Sequence, residues 1–99
     1  MSNKQIAEDI IKRFKSKGHK AYIYHVSGTC SVYIKVIVNK RKTRIRVSNH
    51  MPYHAKVEKY NVMSNERDRV FVSNSKKRYY GVGNIEQLIN DILVRFKGV

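Results

Sequence analysis

A chain of 99 residues with a hydrophobic share of 41% can bury one core but not two, so residues 1–99 read as a single domain rather than a disordered polypeptide. Its 21 Lys and Arg against 7 Asp and Glu leave a net charge of +14, which excludes any role as an acidic mimic and calls for an anionic partner. No run is apolar enough to span a bilayer, no lipidation or secretory signal is present, and the single cysteine has no partner for an internal disulfide, so a cytoplasmic protein without a membrane role is expected.

Residues 3–17 predict a helix, because Ile6, Ala7, Ile10, Ile11 and Phe14 form an apolar stripe behind the capping-box pair Ser2 and Gln5, and Gly18 ends it. Lys12, Arg13, Lys15 and Lys17 crowd its last turns. The helix dipole does not call for that many cations, so this end is kept as a secondary contact surface. Ala21–Val26 alternates as a short strand, with Tyr22, Tyr24 and Val26 on one side and Ile23 and His25 on the other, and Ser27-Gly28-Thr29 turns the chain.

The next stretch, Cys30–Ser48, predicts a two-stranded ribbon. Cys30, Val32, Ile34, Val36 and Val38 share its inner side with Thr43, Ile45 and Val47, which makes Cys30 a small buried thiol. Tyr33, Lys35, Arg44 and Arg46 face outward, and Asn39-Lys40-Arg41-Lys42 joins the arms. Asn49–His54 contains Pro52 and reads as a loop. Lys56–Met63, Arg69–Val72 and Tyr79–Val82 are weaker strands, the last preceded by the basic connection Lys76-Lys77-Arg78. Ile85, Leu88, Ile89, Ile92, Leu93 and Phe96 recur at helical steps behind an Asn84/Gln87 cap. This order predicts the α+β class: an antiparallel sheet of four to six strands with the N- and C-terminal helices packed on one face.

Between Asp9 and Glu58 there is no acidic residue, while Lys and Arg recur throughout the interval. A surface that only needs solubility mixes both signs, so this interval predicts a field that attracts a polyanion. The outer ribbon residues Tyr33, Lys35, Arg44 and Arg46, with Lys40, Arg41 and Lys42, combine guanidinium forks, ammonium charges and a stacking ring, which is the chemistry of a nucleic-acid surface. Lys76, Lys77 and Arg78 offer a second phosphate contact, or simply a charged turn. The expected partner is thus nucleic acid or a nucleoprotein complex.

Metal, cofactor and catalytic readings find little to stand on. His50 and His54 are separated by Pro52, which interrupts the helix that would bring them together. The carboxylates Glu8, Asp9, Glu58, Glu66, Asp68, Glu86 and Asp91 are scattered, so no metal site, cofactor or catalytic group is assigned. The alternative is a small metal-independent ribonuclease or toxin, with His50 or His54 as base and Arg44 and Arg46 on the phosphate.

Ser31-Val32-Tyr33, followed by Arg44-Ile45-Arg46-Val47-Ser48-Asn49-His50, resembles a pattern of small bacteriophage and prophage accessory proteins whose second arm ends Arg-Ile-Ser-Asp-His. Asn49 stands where that pattern has aspartate, so no carboxylate role carries over to this position. The resemblance implies a protein that binds and disables a host machine, such as a restriction or CRISPR nuclease, in the manner of an anti-CRISPR protein. With a charge of +14, such an inhibitor would have to grip guide RNA, target DNA or an acidic protein surface.

Overall fold

In the computed structural model, which describes residues 2–28, 30–49 and 57–97, Asn3–Ser16 forms the first helix, α1. Its capping box closes as the sequence predicts: Gln5 N donates to Ser2 Oγ at 3.1 Å and Ser2 N to Gln5 Oε1 at 2.8 Å. Two backbone donors that a helix start would leave open are thereby satisfied. Six strands follow: β1 (Lys20–Ser27), β2 (Ser31–Val38), β3 (Arg41–Ser48), β4 (Tyr60–Met63), β5 (Val70–Val72) and β6 (Arg78–Gly81). A short 3-10 turn, Val82–Asn84, leads into the second helix, α2 (Ile85–Arg95).

The strands form one sheet in the order β1-β2-β3-β4-β6-β5. The first three pair antiparallel through short turns, but β3 with β4, and β4 with β6, are parallel. The sheet is therefore mixed, which corrects the all-antiparallel expectation. Two features of the connections cause this. Eleven residues separate β3 from β4, about the length a parallel crossover needs, whereas an antiparallel neighbour needs only a tight turn. Then β5 takes the outer place and β6 turns back antiparallel between β5 and β4. Alternation along a short strand says which side chains share a face; it says nothing about which strand lies beside it.

Buried residues of both helices, among them Ile6, Ile10, Phe14, Leu88, Ile89 and Ile92, make a single apolar cluster with Val32, Ile34, Val36, Ile45, Val47, Val62 and Tyr80. Val32 pairs with Val47 and Ile34 with Ile45, so these strand residues share one parity, called the inner face below. The opposite parity carries a smaller apolar group, Val57, Met63 and Tyr79, against which Phe71 stacks with ring centroids 4.6 Å apart. That face is consequently not uniformly polar.

Two local readings change. Cys30 sits in the turn before β2 and is half-buried, not in the inward register of a strand; its carbonyl accepts from Asn3 Nδ2 at 2.8 Å. Asn84 forms no side-chain cap on α2, and its amide reaches the Arg67 carbonyl at 3.4 Å instead. This follows from how tightly the 3-10 turn docks on the turn after β4: Val82 N donates to Glu66 O at 2.8 Å and Gly83 N to Arg67 O at 2.7 Å. A β-carbon on Gly83 would lie 2.6 Å from that same Arg67 oxygen, so glycine is required there by close backbone approach. Among the described residues no helix is long and apolar enough to cross a membrane.

Candidate nucleic-acid interface

The tip between β2 and β3 is a two-residue turn, with Asn39 at φ 50° and Lys40 at φ 67°. Positive φ at both positions matches the right-handed twist of the two arms, and glycine is the residue that usually fills the second. A lysine there carries a steric penalty of about 1–2 kcal/mol from its β-carbon. The turn nevertheless holds Lys40 exposed, beside exposed Arg41 and Lys42.

Behind the tip, Lys35 and Arg44 are register partners on the outer parity, and the Tyr24 ring lies against both. The Lys35 ammonium is 5.1 Å and the Arg44 guanidinium 5.5 Å from the ring centroid. A register shift between Ile23 and His25 puts Tyr24 at an irregularity of β1. From there its hydroxyl donates to Glu58 Oε1 at 3.0 Å. Burial, and then the hydrogen bond to the Glu58 carboxylate, push the phenol up to about 12. Tyr24 therefore stays neutral and orients the two cations, a role that alternation on β1 does not reveal.

Tyr33 and Arg46 depart from the expected open face, being only 6% and 2% exposed. They pair across β2 and β3, and Arg46 in turn stands beside Asn61 of β4, which stands beside Tyr79 of β6. The ribbon is not an edge: β4 and β6 extend the sheet beyond β3, so Arg46 occupies a central strand with neighbours on both sides. Its Nε and Nη1 have no hydrogen-bond partner among the described residues, nor does Asn61 Oδ1. Asn61 Nδ2 donates to the carbonyls of Glu58 at 2.6 Å and Arg78 at 3.2 Å.

The basic connection before β6 also divides. Lys76 N donates to Ser73 O and Ser73 N to Lys77 O, each at 2.9 Å, closing a hairpin in which Lys76 takes φ 63°. Lys76 is exposed and Lys77 half-buried on this turn. Arg78 instead lies on the inner parity beside Tyr60, with Nη1 3.7 Å from Asp91, which also accepts the Tyr80 hydroxyl at 2.6 Å. On α1, Arg13 is engaged by Asp9 at 3.0 Å and Glu86 at 2.7 Å; partial burial works against its charge, but those two carboxylates raise its pKa overall. Lys12, Lys15 and Lys17 remain exposed.

Lys20, the tip cations, Lys59, the basic connection before β6 and Arg95 lie toward one end of the sheet. Lys20 of β1 pairs with Ile37 near the tip, Asn39 Nδ2 donates to the carbonyl of Phe96 at the close of α2 at 2.6 Å, and Arg78 N donates to Lys59 O at 2.8 Å. The tip, the start of β1, the C-terminus of α2 and the β5–β6 turn therefore lie toward the same end of the sheet. Glu66 and Asp68 follow β4, whose last residue Met63 pairs with Ser48 at the far end of β3, and Glu86 opens α2. Three of the seven acidic residues thus lie toward the opposite end, where Arg67 and Arg69 accompany them, while Glu58 and Asp91 stand among the cations near the starts of β4 and β6. Lys59 and Arg95 belong to the positive end but carry no signal in the sequence, where one sits in a weakly alternating stretch and the other suits the end of any helix.

Among the described residues no group of three His, Cys, Asp or Glu could hold a metal ion. His50 and His54, on which the ribonuclease alternative depends, lie outside the described residues. Fold and surface together define a basic α+β protein with a mixed six-stranded sheet and an exposed basic hairpin between β2 and β3. No family model, curated protein or solved structure matches the chain.

Proposed function

We propose that this protein binds nucleic acid, or a nucleoprotein complex that presents it, through the positive end of its sheet, led by the β2–β3 hairpin. The observation that carries this reading is the exposed set Lys40, Arg41, Lys42 and Arg44, continued by Lys76 and Lys77 toward the same end, with no acidic residue on the hairpin itself. Both tip lysines, Lys40 and Lys76, occupy positive-φ positions that glycine would fill without strain, so an exposed charge is kept there against local backbone preference. Tyr33 and Arg46 serve this surface from beneath, as buried supports of β2 and β3. The resemblance of Ser31–Tyr33 and Arg44–His50 to phage accessory proteins supports a setting in the host cytoplasm, where gripping guide RNA or target DNA would block a defence nuclease of the CRISPR type. The protein acts by binding; catalysis is not part of this reading.

Lys40→Gln with Arg41→Gln and Lys42→Gln provides the test. Titration of a labelled single-stranded oligonucleotide should show affinity falling steeply with salt for the wild type, and the triple variant should flatten the log–log slope by about 2–3 because each lost phosphate contact releases fewer counterions. Unchanged affinity and slope in a folded triple variant would reject the hairpin as the binding surface. Inhibition of a reconstituted guide-RNA nuclease, lost in the same variant, would place the activity on the nucleoprotein.

A further inference from the structure

Beside the hairpin tip, the C-terminal half of α2 and the first residues of β4 and β6 enclose a cleft of about 200 Å3, lined by Tyr60, Arg78, Asp91, Val94 and Arg95. Lys59 and Lys76 stand close enough to share its field. The Lys59 ammonium is held below its usual pKa by burial first, and then by the positive charges of Arg95, Arg78 and Lys76. Two guanidinium groups thus line the cleft, and two ammonium groups act on it from nearby. Against them stand Asp91, already bonded to the Tyr80 hydroxyl and near Arg78, and the C-terminal dipole of α2, equivalent to about half a negative charge. An excess of about two and a half positive charges is left uncompensated, more than a helix end needs.

The donor set is specific in its chemistry. Arg78 and Arg95 bring planar forks suited to phosphate oxygens, Lys59 and Lys76 bring point charges, and burial raises the pKa of the Tyr60 phenol so that its hydroxyl remains a donor. The cleft is also continuous with the proposed binding surface, because Asn39 at the hairpin tip is hydrogen-bonded to Phe96, next to Arg95. A strand lying on Lys40–Lys42 meets the cleft directly past the end of α2.

We infer that this cleft is a phosphate seat, holding one phosphate of the nucleic acid whose backbone the hairpin contacts, with Arg95 and Arg78 of its wall as the principal donors and Lys59 beside them. The inference rests on the reading that the hairpin binds nucleic acid. An internal phosphodiester and a terminal phosphate offer the same oxygens, and the experiment separates them. Anisotropy of a 3′-labelled strand of about 12 nucleotides, with and without a 5′-phosphate, is followed across salt for the full chain, for Lys59→Gln with Arg95→Gln, and for the hairpin triple variant. The cleft variant should lose about one unit of salt slope and about 5- to 10-fold in affinity. Loss on both strands assigns a backbone phosphate; loss confined to the 5′-phosphorylated strand assigns the terminal one. Wild-type affinity and slope in the cleft variant, alongside loss in the triple variant, overturns the phosphate seat and leaves the hairpin reading intact. Absence of binding by the wild type to either strand overturns both. Should the double variant fail to fold by circular dichroism, Arg95→Gln alone, at an exposed helix end, is judged by the same criteria.

Discussion

At the scale of single residues, Arg46 and Tyr24 show how burial changes what a polar side chain does. Arg46 is buried with Nε and Nη1 unbonded among the described residues, a costly state for a charged group. Arg46→Met keeps the aliphatic length and removes the charge, so it should raise stability by about 1 kcal/mol in denaturant unfolding. A loss of comparable size would mean that the guanidinium is paired in solution. Tyr24 gives a pH signature. Its pKa is raised from 10.0 to about 12, so the neutral form is favoured by folding; the associated stability is complete below pH 10 and lost as pH climbs through about 12. The burial-driven rise at Tyr80 acts in the same direction. Tyr24→Phe should cost about 1 kcal/mol at neutral pH and reduce the fall in stability between about pH 10 and 12, read from unfolding midpoints.

Among the elements, the β2–β3 hairpin sets local preference against surface charge. Lys40→Gly relieves the positive-φ penalty, so it should stabilise the protein by about 0.5–1 kcal/mol after the greater chain entropy of glycine is subtracted. The same change removes one exposed cation from the tip. If Lys40 contacts phosphate, nucleic-acid affinity should drop severalfold while the melting temperature rises. A variant that gains stability and keeps full affinity would show the lysine to be incidental. The hairpin also differs from an isolated ribbon, because β3 pairs with β4 along Ile45–Ser48 and becomes a central strand. Its outer residues near that junction are therefore buried, whereas Lys42 and Arg44, nearer the tip, stay exposed, as does Arg41 on the inner parity at the very end.

For the whole molecule, the excess of positive charge has two consequences of opposite sign. Self-repulsion within a surface of net +14 weakens the folded state at low ionic strength, and salt screens it over about 10 Å at 0.1 M. Added salt should therefore raise the melting temperature while it weakens nucleic-acid binding. Differential scanning fluorimetry and anisotropy on the same salt series test this, and a melting temperature that falls with salt would mean that the ion pairs of Arg13 and Arg69 outweigh the repulsion.

How much of this was legible beforehand depends on the range of the interaction involved. The capping box of α1, the stripe on α2 and the alternation of β2 and β3 are local patterns, set by residues a few positions apart, and they fixed both helices and the ribbon. Composition likewise determined that the chain is strongly basic and able to form a core. Neighbour relations required the tertiary structure. The parallel pairing of β3 with β4, the burial of Tyr33 and Arg46, the Tyr24–Glu58 bond, and the meeting of Lys59, Lys76, Arg78 and Arg95 join residues from separate elements. No local periodicity encodes those meetings. The sequence by itself determined the charge and most of the elements; only packing decided which cations remain at the surface, because a side chain's exposure depends on what the rest of the chain brings beside it.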